Sequence, residues 1–197
     1  MLLSDPRLKF ADELVAHWLA IRGDALVPLE EDLVPDALRG CFDHLGIADL
    51  TRPAQVIFEL AGAGLSRRFG YQNIAHINWV DLVPPALGDA GLRAHENIRS
   101  VPCGFYHEFT ARRDGMSVVT AETLLLPLRH RNTVLPHAVI GVTRDHSGSN
   151  APAGWLTPSA QIEHYFQELV DIAAGLPAEG RSPQRPRRAR SARGAGR

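Results

Sequence analysis

The sequence has little lysine, little cysteine and no long apolar run. Of its 21 basic residues only Lys9 is a lysine. Two cysteines, Cys41 and Cys103, stand far apart. They form neither a disulfide framework nor a metal-ligand spacing, and without an export signal both are expected to be reduced thiols. No stretch of about eighteen apolar residues occurs, which excludes a membrane-spanning helix. The opening MLLSDPRLKF carries Asp5 and no small-residue cleavage site, so it does not read as a signal peptide, and a cytoplasmic location is expected. No G-x-S-x-G elbow or Cys-His signature is present, which leaves nucleophilic catalysis without support.

Acid is missing from the C-terminal stretch. Residues 181–197 hold seven arginines and no carboxylate. Taking those seven from the 21 basic residues leaves 14 against 22 acidic ones, a net charge of -8 over residues 1–180. The stretch has no apolar residue larger than Ala or Pro and is expected to be disordered. Its functional reading is an electrostatic contact with nucleic acid, an acidic lipid surface or an acidic partner. No aromatic residue interrupts it to stack on bases, so an unselected Arg-rich extension is the plainer reading.

What is present suits one domain with extensions: 197 residues, 45% of them hydrophobic. Leu8, Ala11, Leu14, Val15, Trp18 and Ile21 recur at helical spacing, which predicts a helix over 8–22 that ends at Gly23. Two strands are expected at about 42–49 and 55–61, with Phe58 and Leu60 on the core face because Glu59 needs water. A helical middle follows from Ala63 to Ser100. Three strands then alternate clearly: Phe105, His107 and Phe109 share one face of the first, Leu124, Leu126 and Leu128 one face of the second, and Ala138, Ile140 and Val142 close the sheet. Arg113-Asp114-Gly115 and Arg131-Asn132-Thr133 supply turns. After the linker HSGSNAPAG, Thr157 and Pro158 open a predicted C-terminal helix carrying Ile162, Tyr165, Phe166, Leu169, Val170 and Ala173 on one face.

Early strands, a helical insert and a late meander describe an α+β fold. The expectation is a five-stranded antiparallel sheet with helices on one face and flanking N- and C-terminal helices. The expected divisions are 1–40 for the N-terminal helix and connector, 41–145 for the core, 146–178 for the linker and amphipathic helix, and 179–197 for the tail. The cavity between sheet and helical middle would be lined by Phe58, Leu60, His76, Trp79, Phe105, His107, Phe109 and Ile140. Trp18, Phe166 and Leu169 are the candidate homodimer contacts.

Several motifs have plainer readings. The stretch VIFELAGAGLSRRFG resembles a dinucleotide-binding turn, but Arg67 stands where a third small residue belongs, and no alternating βα pattern follows. The glycines serve a tight strand-to-helix turn. None of the nine histidines lies in a metal-binding pattern, and no metal site is assigned. His107, on an apolar face, suits haem iron or a polar ligand, or simply a core histidine bonded to a carbonyl. His76 beside Trp79 is weighed the same way. Glu122, mid-strand, suits a cross-strand ion pair better than a catalytic base.

The stretches His17-Trp18-Leu19-Ala20-Ile21-Arg22-Gly23, Val27-Pro28, Phe58-Glu59-Leu60-Ala61-Gly62, Phe69-Gly70, Leu124-Leu125-Leu126-Pro127-Leu128 and Ile140-Gly141 together resemble a bacterial PAS-domain family, the PAS_5 type, found mostly in alphaproteobacteria. The resemblance covers about residues 8–145. The chain departs from the family pattern at Leu29 and Glu30, where an Arg is common, at Ala63, where Thr is usual, and at Asn73-Ile74-Ala75, where a Gly is expected. The resemblance implies a PAS-like fold and a sensory or regulatory protein that binds a small ligand or a signalling partner. It implies no catalysis, names no cofactor, and fits transmission through flanking helices of a homodimer. The alternatives are a ligand-free interaction scaffold with a filled core, and a small cone-shaped enzyme using His107 or Glu122 as base.

Overall fold

The computed structural model describes residues 3–113, 118–146 and 151–176. Asp5 caps a short 3-10 turn, Pro6–Ala11, by accepting a hydrogen bond from the Arg7 backbone N at 2.9 Å. Helix α1, Asp12–Arg22, continues from it with Asp12 and Glu13 in its first turn and Arg22 in its last, the order that complements the helix dipole. Gly23 ends it at φ 53°, a conformation that favours glycine.

The sheet is built from β1 (Leu45–Asp49), β2 (Ile57–Ala61), β3 (Gly104–Arg112), β4 (Val119–Leu128), β5 (Ala138–Asp145) and β6 (Gln161–Val170). Every pairing is antiparallel, in the order β2-β1-β5-β4-β3-β6. Helices α2 (Ala63–Arg68) and α3 (Pro85–Ser100), with a 3-10 turn at Trp79–Leu82, form the helical middle. They pack on the face carrying Phe105, Phe109 and Ala121. The other face, with Tyr106, Leu124, Leu126, Leu128, Ile140 and Val142, is covered by Leu8, Leu14 and Trp18 of the N-terminal segment. Trp18 is fully buried there, and its indole Nε1 donates to the Pro127 carbonyl at 2.9 Å.

The antiparallel α+β architecture matches the expectation, with six strands instead of five. The sixth occupies the segment expected to be the C-terminal helix. Its apolar residues come as neighbours four apart, Tyr165-Phe166 and Leu169-Val170. That spacing satisfies a helical stripe, and it equally suits a strand buried on both faces. Tyr165 and Leu169 pack with the helical-middle core, Phe166 and Val170 with the opposite one. The otherwise open edge of β3 decides the matter: its whole length, Gly104 to Arg112, pairs with β6. Tertiary pairing overrides the local pattern, helped by the aromatic and β-branched content.

The glycine pair after β2 has a local cause. A Cβ at Gly62 would run into the Phe42 and Asp43 carbonyls, and the Gly64 backbone N donates to the Asp43 carboxylate at 2.9 Å. The turn leading into β1 therefore presses directly against this corner. The turn at Arg113-Asp114-Gly115, the linker at 147–150 and the Arg-rich tail fall wholly or partly outside the described residues.

Candidate functional site

A cavity of about 80 Å³ lies between the sheet and the helical middle. Most of its wall is apolar: Val56, Phe58, Leu65, Phe69, Leu87, Phe105, Phe109 and Leu125. Gly46, Gly91 and Gly141 also border it. Side chains there would reach Leu65, the Trp79 ring and Leu125 respectively. The polar wall is Arg68 from α2, His95 from α3, His107 from β3, and Thr123 and Thr143 from β4 and β5.

The threonines satisfy each other, hydroxyl to hydroxyl at 3.0 Å across a registered pair. The other three polar groups do not. Arg68 Nε, His95 Nδ1 and His107 Nδ1 are buried with no hydrogen-bond partner among the described residues. A buried unsatisfied group costs about 1–3 kcal/mol. Three of them together rival the roughly 5–15 kcal/mol by which a domain is stable. An occupant supplying hydrogen bonds would remove that cost.

The charges are distributed asymmetrically. Arg68 Nη2 binds Asp145 Oδ1 at 2.7 Å, and the guanidinium lies 5.6 Å from the Trp155 ring centroid. Burial holds His95 down to about 4. Burial first, and then the electrostatic influence of His95 and Arg68 on the protonated ring, hold His107 down to about 3. Both imidazoles are therefore neutral at pH 7, each offering one N–H donor and one lone-pair acceptor. His107 is edge-on to Phe105 at 5.4 Å and to Phe109 at 5.5 Å, which fixes its ring plane. His95 meets the Trp79 ring edge-on at 5.9 Å. The volume falls well below the roughly 300–1,000 Å³ of sites for drug-sized ligands. It admits a few waters or a ligand of a few heavy atoms, and no macrocycle.

Five of the eight expected cavity residues line this space: Phe58, Trp79, Phe105, His107 and Phe109. Leu60 does not. Pairing Ile47 with Leu60 and Ala48 with Phe58 leaves Glu59 as an extra residue, so a bulge turns Leu60 to the opposite face. Ile140 is buried on that opposite face because β5 turns Val139 and Gly141 toward the cavity instead. His76 is exposed at φ 66°, and its backbone N donates to the Phe58 carbonyl at 2.7 Å.

The expected dimer contacts are also redistributed. Trp18 and Leu169 are inside their own chain's cores. Phe166 is half-buried against Tyr106, 6.2 Å between ring centroids. Glu122 lies off the cavity. It accepts from Tyr106 Oη at 3.0 Å and Arg144 Nη2 at 2.6 Å, with His146 Nε2 at 2.8 Å. That is the cross-strand role expected of it, Glu122 standing opposite Arg144 in the register.

Arg68 and His95 were not legible as site residues. His95 had a usable signal, since Leu87, Gly91 and His95 are four apart and share one face of α3. Arg68 had none, because its burial depends on Asp145 arriving from β5.

Residues 8–143 match a family model described as PAS domain. No curated protein matches the chain. No helix among the described residues is long and apolar enough to cross a membrane.

Proposed function

This chain belongs to the PAS-domain family, and we propose that it is a sensory or regulatory protein whose input is a small polar ligand held between the sheet and the helical middle. One observation carries the reading. Three buried polar groups without a partner among the described residues (Arg68 Nε, His95 Nδ1 and His107 Nδ1) belong to side chains of one small cavity. A ligand head group that accepts hydrogen bonds, such as a carboxylate, complements the guanidinium and a neutral imidazole N–H. Its apolar remainder would meet Phe58, Phe69 and Leu87.

Signalling requires the ligand to favour one arrangement of the surroundings over another. Arg68 and His95 stand on the two helices and His107 on the sheet, so an occupant engaging all three draws these layers together. β3 carries His107 and pairs it with Gln167 of β6. The sheet also carries α1 on its far face. β6 and α1 are therefore the output elements of the proposal, in place of a C-terminal helix.

Native mass spectrometry of the purified full chain tests the proposal. The intact protein should carry a small adduct that is released on denaturation. The variant His107→Leu, similar in bulk and without polar atoms, should be folded and free of it. Wild-type protein without any adduct, and unaffected in thermal stability by a panel of short carboxylates, would favour the ligand-free scaffold instead.

A further inference from the structure

A second site lies away from the cavity. Glu30, in the connector after α1, meets His130 and His137, which flank the turn between β4 and β5. One ligand-capable atom from each of the three residues lies within 4.8 Å of the others. His137 Nε2 is 2.7 Å from Glu30 Oε2. The two imidazoles stack with centroids 3.5 Å apart and planes 19° from parallel. Glu59, the bulged residue of β2, is a second carboxylate near Glu30. Among the described residues no arginine or lysine pairs with Glu30 or Glu59, although Arg131 nearby pairs with Glu31 at 2.7 Å.

The backbone holds these groups in place. Leu29 bridges Arg129, and the Glu30 N donates to the Arg129 carbonyl at 3.0 Å. His137 N donates to the Leu128 carbonyl at 3.0 Å, and Leu50 N to the His137 carbonyl at 2.7 Å. The His137 ring is buried, with Nδ1 lacking a hydrogen-bond partner among the described residues. Two chain segments distant in sequence thus bring together two imidazoles and one carboxylate.

We propose that Glu30, His130 and His137 bind a divalent cation of the zinc class. Two imidazole nitrogens with one carboxylate oxygen are a donor set that suits Zn²⁺ and disfavours Ca²⁺ and Mg²⁺. Tetrahedral bonds of 2.0–2.1 Å place ligand atoms about 3.3 Å apart. An ion entering the site therefore opens the His137–Glu30 contact slightly and draws the more distant atoms inward. The bound ion would clamp the connector that follows α1 to the β4–β5 turn. It would thereby fix the N-terminal segment on the sheet.

The test is calorimetric titration of the metal-stripped full chain with Zn²⁺, with Co²⁺ as an optical probe of coordination. The expected result is one saturable Zn²⁺ per chain and a higher melting temperature with the metal. His130 is exposed, so His130→Ala leaves the fold intact. It should weaken binding at least about tenfold, as should Glu30→Gln, while His164→Ala leaves affinity unchanged. Absence of saturable binding to wild type, or affinity that His130→Ala and Glu30→Gln leave within about twofold, overturns the site.

Discussion

Arg68 and Asp145 form a buried ion pair at 2.7 Å, with side-chain exposures of 3% and 14%. The pair joins α2 to the end of β5 and stands at the boundary between the inner cavity and an outer cleft. Asp145 satisfies one edge of the guanidinium, and Nε is left over. The pair thus fixes the helical layer to the sheet and leaves one polar group of Arg68 without a partner at the cavity wall.

Removing one member of a buried pair leaves an uncompensated charge. Asp145→Ala should cost about 3–5 kcal/mol of stability by denaturant titration. The double substitution Arg68→Met with Asp145→Leu should recover most of that loss, while abolishing the adduct expected in the cavity. Equal stability of Asp145→Ala and wild type would show that the pair has no role in fixing α2.

Acid should destabilise the fold before the carboxylates titrate. His95 and His107 are held down to about 4 and about 3 by burial, whereas an unfolded histidine takes its proton near 6.5. The unfolded chain binds more protons throughout the interval between those values. The stability the neutral rings confer is complete above about pH 6.5 and falls as pH drops toward 4. The slope is on the order of 1 kcal/mol per histidine per pH unit. Urea midpoints measured at pH 7.5, 6 and 5 should decline accordingly. His107→Leu should make the decline shallower. A midpoint independent of pH over that range would contradict the burial of both rings.

Trp18 should act on stability and leave subunit number unchanged. Its indole is fully buried and bonded to Pro127 within one chain. Trp18→Ala should cost about 3–5 kcal/mol. Trp18→Phe should cost less, the principal loss being the bond to the carbonyl. Sedimentation should give the same subunit count for wild type and Trp18→Phe. A change in that count would return Trp18 to a surface between chains.

The strands of the meander were legible because their period-2 pattern extends over several residues, as in Phe105-Tyr106-His107-Glu108-Phe109. The face that His107 shares with Phe105 and Phe109 followed from that alternation alone. The position of Leu60 did not, since a bulge at Glu59 reverses parity and leaves no mark in five residues of strand. Nor did β6. Adjacent apolar pairs four apart carry the helical and the two-faced strand pattern at once, and the choice lay with the unpaired edge of β3. The site divides along the same line. Phe58, Phe105, His107 and Phe109, placed by local alternation, line the cavity, Leu60 and Ile140, placed the same way, do not, and Arg68, His95 and the Glu30–His130–His137 group depend on contacts between distant segments.

A crystal structure of the purified full chain, refined to a resolution that separates water from organic density, tests the central claim most directly. The account predicts a non-water molecule in the cavity, accepting from Arg68 Nε and hydrogen-bonded to at least one of the His95 and His107 rings. A cavity holding waters alone, or closed by its own side chains with those nitrogens bonded to protein atoms, would contradict it.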